Sequence, residues 1–179
     1  LKRLAALVVL LLTSGIALAA ADRIFTNPKP EGHFKKLFPN AVAFSTVGGN
    51  PLHWTAYGAD PAKTPNAPVL GYIFWTTDMV PQEHGYHGAI HILVGLNTNG
   101  TISNVVVDYN SEPYGYFSVD PPEFAEQFKG KSIFDKFQVG ADVDYVSRAS
   151  LSVGSASRAI RDSTRIVARA LLDPNAVKR

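Results

Sequence analysis

Apolar and polar residues recur with two different periods along this chain. Gly71-Tyr72-Ile73-Phe74-Trp75-Thr76-Thr77 and Ala89-Ile90-His91-Ile92-Leu93-Val94-Gly95-Leu96 are dense in β-branched and aromatic residues, which predicts buried strands. Asn97-Thr98-Asn99-Gly100 carries an Asn-Gly turn signal ahead of the apolar-polar run 101–109, which predicts a β-hairpin. A further short strand is expected at 53–57 and a strand or loop at 41–47, while the three prolines between Asp60 and Pro68 predict a surface loop. The 3.6-residue period appears first at Gly32-His33-Phe34-Lys35-Lys36-Leu37-Phe38, a short amphipathic helix stopped by Pro39. Pro121-Pro122-Glu123 begins another short helix. The long helix is expected at 152–172, with Ala156, Ile160, Ser163, Val167 and Leu171 on one face and Arg158, Arg161, Arg165 and Arg169 on the other; Asp173-Pro174 ends it. Strands first and a long helix last predict an α+β fold, a single domain over 22–179 built on a twisted antiparallel sheet.

The first 21 residues follow a different pattern. Lys2-Arg3 precede the apolar run 4–12, and small residues follow up to Ala19-Ala20-Ala21, as in a secretory signal peptide. Residues 4–21 are also long enough to cross a bilayer as an N-terminal anchor if uncleaved. Under either alternative the charge asymmetry places the rest of the chain outside the cytoplasm, in a periplasmic or extracytoplasmic location. The 179 residues are 46% hydrophobic and 18% charged, enough to bury a core. Lys2 and Arg3 account for the whole net charge of +2, so the remainder is neutral and unsuited to nucleic acid. Without cysteine, thiolate metal sites and thiol chemistry are excluded, and redox chemistry would need a borrowed cofactor.

Charge within the neutral part is segregated. Between Thr64 and Phe128 there is no Lys or Arg, against Asp78, Glu83, Asp108, Glu112, Asp120, Glu123 and Glu126; from Lys129 onward bases predominate. An anionic group is therefore expected in the C-terminal third. There, Asp144-Tyr145-Val146-Ser147-Arg148-Ala149-Ser150-Leu151-Ser152 places three hydroxyls and an arginine just before the long helix, where free N–H groups favour a phosphate. Ordinary N-capping by a serine explains the same residues.

Asp144-x-x-Ser147-x-Ala149-Ser150 resembles the D-x-x-[ST]-G-A-[TS] motif of the FMN-binding domain family. That family includes flavin subunits of sodium-pumping NADH:quinone reductase and Rnf complexes and the periplasmic domain of NosR-like regulators. The likeness runs from about Phe38 to Asp173, with Gly71-Tyr72 and the hairpin through Ile102 among its features, and is nearest to the NosR-like branch. It implies FMN joined by a phosphodiester to Ser150, a flavin transferase for maturation, and a free-standing domain exchanging electrons with a membrane or periplasmic redox protein. Ser147, Arg148, Ala149, Ser152 and Asp144 would surround the phosphate. Arg148 stands where the family has Gly. Glu112-Pro113-Tyr114-Gly115 takes the place of a segment beside the flavin ring, with Asn110 and Ser111 where a His is frequent.

Two other patterns bear on function. Tyr109, Tyr114, Tyr116 and Phe117 read either as an aromatic wall for the ring, with Glu112 or Asp108 on its polar edge, or as core packing. Abundant carboxylates in that half predict a ring site that disfavours an anionic reduced flavin. His84, His87 and His91 form H-x2-H-x3-H, the alternative being a periplasmic metal-binding or assembly module. Polar loop residues ahead of a strand account for them equally.

Overall fold

The computed structural model describes residues 30–177; the leader expected at 1–21 lies outside them. Helix α1 (Glu31–Leu37) is followed by strands β1 (Ala43–Phe44), β2 (Trp54–Tyr57) and β3 (Val69–Trp75), a single helical turn α2 (Thr76–Met79), and strands β4 (His91–Asn97) and β5 (Ile102–Tyr109). Short helices α3 (Gly115–Ser118) and α4 (Pro122–Glu126) lead, through an irregular stretch, to α5 (Ser150–Leu171). The strands form one five-stranded antiparallel sheet in chain order. This is the expected α+β architecture with a long C-terminal helix.

The sheet is covered on both faces, which explains the unbroken apolar runs of its inner strands. Phe74, Ile92, Val94 and Leu96 pack with Val153, Ala156, Ile160 and Val167 of α5. Ile73, Trp75 and Leu93, alternate positions along the same strands, pack with Phe34 and Leu37 of α1 and with Phe38 just after it. Each fully buried Phe, Ile or Leu in these clusters contributes on the order of 2 kcal/mol from area removed from water. Gly71 permits the α1 contact: a Cβ there would lie 2.6 Å from the tip of the Phe38 ring and 2.1 Å from the Leu96 carbonyl oxygen.

The arginines of α5 are spent within the domain. Arg158 donates twice to Glu83 at 3.1 Å, Arg161 pairs with Asp162, Arg165 donates to the carbonyls of Ile133 and Asp135, and Arg169 donates to the Arg165 carbonyl. Arg158 and Arg165 thus tie α5 to neighbouring segments, while Arg161 and Arg169 are engaged within the helix itself. Among the described residues no helix is long and apolar enough to cross a membrane.

Because β4 and β5 are antiparallel, the loop entering β4 and the loop leaving β5 meet at one end of the sheet. The N-terminus of α5 arrives at that same end.

Candidate functional site

Helix α5 begins at Ser150, two residues before the position expected from the apolar period, and Ala149 occupies its N-cap. No side chain caps it. The serines that composition offered as caps are otherwise disposed. Ser147 and Ser150 are exposed, and neither hydroxyl has a hydrogen-bond partner among the described residues. The Ser152 hydroxyl is buried and donates to Glu112 Oε2. First-turn N–H groups without a cap remain available to an anion.

The turn into the helix is made by Arg148, whose φ of 66° lies in the left-handed region. A residue with a Cβ adopts it at a cost of about 1–2 kcal/mol, whereas glycine adopts it freely. That accounts physically for the glycine usual at this place in the resembling family. Arg148 is exposed and, among the described residues, has neither an acidic nor a carbonyl partner, unlike Arg158, Arg161, Arg165 and Arg169.

Beside this turn lies a cavity of about 520 Å³, lined by Tyr86, Pro113, Tyr114 and the stretch Arg148, Ala149, Ser150, Leu151, Ser152. Its size falls within the usual range for a cofactor or drug-sized ligand. Tyr86 (68% exposed), Tyr114 (45%) and Leu151 (64%) give it an apolar and aromatic border open to solvent. Arg148 is the one charged residue in the lining.

The two sides of the cavity are joined by Glu112. This carboxylate, only 8% exposed, accepts the backbone N–H groups of Tyr86 and His87 at 2.8 Å each, as well as the Ser152 hydroxyl. Burial pushes its pKa up, but the hydrogen bonds from Ser152, His87, Tyr86 and Gly88 outweigh that effect and hold it below the ordinary carboxylate range. Glu112 thus pins the loop carrying Tyr86 to the first turn of α5. Gly85 makes room for it, since a Cβ at that position would come within 2.6 Å of the Glu112 carboxylate. Gly85→Ala is expected to lower stability by about 1–3 kcal/mol. Gly88→Ala, whose Cβ would meet only Ser111 Oγ at 3.3 Å, should cost less. Thermal denaturation of the two variants checks this order.

The sequence-derived site residues divide accordingly. Ser150, Arg148, Ala149, Ser152, Pro113 and Tyr114 line the cavity, whereas Glu112 braces it from behind. Asp144, Ser147 and Tyr116 lie outside the lining: the Asp144 N–H donates to Gln127 Oε1, and Tyr116 packs edge-on against Phe117 and is otherwise exposed. Neither carboxylate expected at the ring's polar edge is in the lining. Glu112 is consumed as described, and Asp108 accepts a hydrogen bond from His33 of α1 at 2.9 Å. Among the described residues the acids of 64–128 are thus not on the cavity surface, although Glu112 lies directly behind the lining residue Ser152. Glu83 faces Arg158 and Asp120 accepts from Asn110.

Tyr86 was missed, because the histidines on either side drew the chemical reading of that segment. Its signal was the flanking pair Gly85 and Gly88, which disfavour a helix and let an aromatic residue stand out on a loop. The histidines themselves do not converge. His84 Nε2 donates to the Pro81 carbonyl at 3.1 Å, His87 is exposed, and His91 is buried in β4 against Tyr109, where burial lowers its pKa against the opposing influence of Asp108 and Asp78. Among the described residues no group of three or more His, Asp or Glu side chains is arranged to hold a metal ion. The metal-module alternative finds no such site among the described residues.

The family model described as an FMN-binding domain matches residues 85–165, from the loop bearing Tyr86 to beyond the middle of α5. Over these residues the chain is similar to FMN-binding domains. The match contains every residue lining the cavity. Phe38 to His84, including Gly71-Tyr72, where the resemblance was also drawn, fall outside it. No curated protein matches the chain. FMN is the cofactor of this domain family, and the cavity suits it: an aromatic, partly open slot for a ring system, adjoining an uncapped helix start, an unpaired hydroxyl and an unpaired guanidinium.

Proposed function

We propose that this FMN-binding flavoprotein carries its cofactor as a phosphoester of Ser150 and serves as an extracytoplasmic electron carrier. The observation that carries this reading is the exposed, unpartnered hydroxyl of Ser150 at an uncapped helix start on the wall of the cavity. The backbone N–H groups of the first turn would face the phosphate, whose negative charge the helix end favours. Ser150 is exposed, so a separate flavin transferase can reach it. With a flavin phosphate activated by a second phosphoryl group, the transfer balances. The Ser150 Oγ–P bond forms, the P–O bond to the leaving phosphate breaks, and the serine proton passes to a base on the transferase.

Bound FMN supplies one- and two-electron redox chemistry that the cysteine-free chain lacks. The protein's part is to hold it. Tyr86 and Tyr114, both in the lining, would offer aromatic surface to the ring system, Pro113 and Leu151 would add apolar surface, and Glu112 holds the Tyr86 loop to the first turn of α5. An open border lets a redox partner approach closely, and no buried substrate pocket is required of a carrier. The leader pattern at 1–21 supports export or anchoring, and with it a membrane or periplasmic partner. Co-production with a flavin transferase, followed by intact-mass measurement and a visible spectrum, tests this reading. Yellow protein heavier by one FMN is expected after denaturation; flavin that is wholly released on denaturation would contradict the ester.

A further inference from the structure

We infer that Arg148 is the residue through which this pocket selects a phosphorylated flavin, and that it keeps a left-handed backbone for that purpose. The inference rests on the FMN reading and adds a recognition step that precedes any bond to Ser150. Three observations meet at this residue. Its φ of 66° is one that glycine would adopt without strain, so nothing in the backbone favours arginine there. Among the described residues its guanidinium has no partner, whereas Arg158, Arg161, Arg165 and Arg169 all have one. Among the described residues it is the only charged one lining the cavity, two positions before the hydroxyl that would carry the phosphate. An unpaired planar donor fork at the wall of a ligand cavity fits a phosphate group, which it can engage through two parallel N–H···O bonds. The first-turn amides add partial charge but no full cation, so Arg148 supplies most of the discrimination between FMN and the uncharged riboflavin. Strain retained at a binding position, with no structural contact to account for it, marks a residue kept for its ligand.

The test uses the full chain carrying Ser150→Ala, so that binding is reversible, with and without Arg148→Gly. Affinities for FMN and riboflavin, which differ only by the phosphate, are measured by quenching of flavin fluorescence, and Tm is measured without ligand. The expected result is a preference for FMN of tenfold or more in the Ser150→Ala protein, falling to a few-fold at most with Arg148→Gly, while riboflavin affinity is unchanged. Arg148→Lys should keep part of the preference, a charge without the fork. Ligand-free Tm should be equal or higher with glycine, because the left-handed residue is relieved; a structural role would lower it. An unchanged FMN-to-riboflavin ratio, or a fall in Tm with equal weakening of both ligands, would overturn the inference alone. Failure of the Ser150→Ala protein to bind either flavin would also overturn it. The mass of the wild-type protein then decides whether the FMN reading falls too.

Discussion

Ser150→Ala is expected to abolish covalent flavin completely, with no loss of fold. Ser150 is exposed at the first position of α5, its hydroxyl makes no hydrogen bond, and alanine is at least as good a helix former there. Its stability should stay within about 0.5 kcal/mol of the parent. Ser150→Thr preserves a hydroxyl able to make the same ester and should retain flavin. Ser147→Ala, outside the cavity lining, should retain it as well. The readout is the intact mass of each protein after co-production with a transferase and denaturation; covalent flavin on the Ser150→Ala protein would refute the attachment site.

The second large effect concerns Glu112. Glu112→Ala removes the acceptor of two backbone N–H groups and of the buried Ser152 hydroxyl at once. Leaving such donors unsatisfied should cost about 3 kcal/mol, which for a domain of this size corresponds to a Tm lower by roughly 6–12 °C. Glu112→Gln keeps one acceptor oxygen and should lose less. The same interactions set a pH dependence. Glu112 has its pKa lowered in the folded state, and so has Asp142, where burial acts upward but is outweighed by the N–H groups of Gln138 and Phe137 and by Lys131. Their contribution to stability is complete above the unfolded carboxylate pKa, about 4, and is lost as the pH falls below it through the lowered folded values. Stability should therefore fall on acidification below about pH 4 more steeply in the parent than in Glu112→Ala, which has one such group fewer. Denaturant titrations of both proteins across that range decide it; parallel pH profiles would show that Glu112 is not the brace described.

Much of the fold was legible because its signals were local. The apolar runs at 71–77 and 89–96, the Asn-Gly turn and the four-arginine face of the last helix each reappear as β3, β4, the β4–β5 turn and α5. What the period could not give was the helix start. Ser152 reads as a cap because serine before an apolar face usually is one, but the reversal at Arg148 starts the helix earlier and frees Ser150. The site was legible where it is contiguous, at Arg148 to Ser152. It was not legible where it depends on long-range pairing. Nothing in the neighbourhood of Glu112 indicates that its charge is met by backbone N–H groups more than twenty residues earlier, so a carboxylate beside an aromatic cluster looked like a ligand to the ring. Tyr86 was hidden for the same reason: its place in the cavity lining with Tyr114 follows from that pairing and not from its own sequence surroundings.

The central claim is that FMN occupies the cavity between Tyr86, Tyr114 and the start of α5, esterified to Ser150. Peptide mapping of the flavinylated wild-type protein tests it most directly. Trypsin cuts after Arg148 and Arg158, releasing a peptide that contains Ser150, Ser152, Ser155 and Ser157. The account predicts that this peptide carries one FMN and that fragmentation places it on Ser150. FMN on a different residue, or an unmodified peptide from protein that is yellow after denaturation, would contradict it.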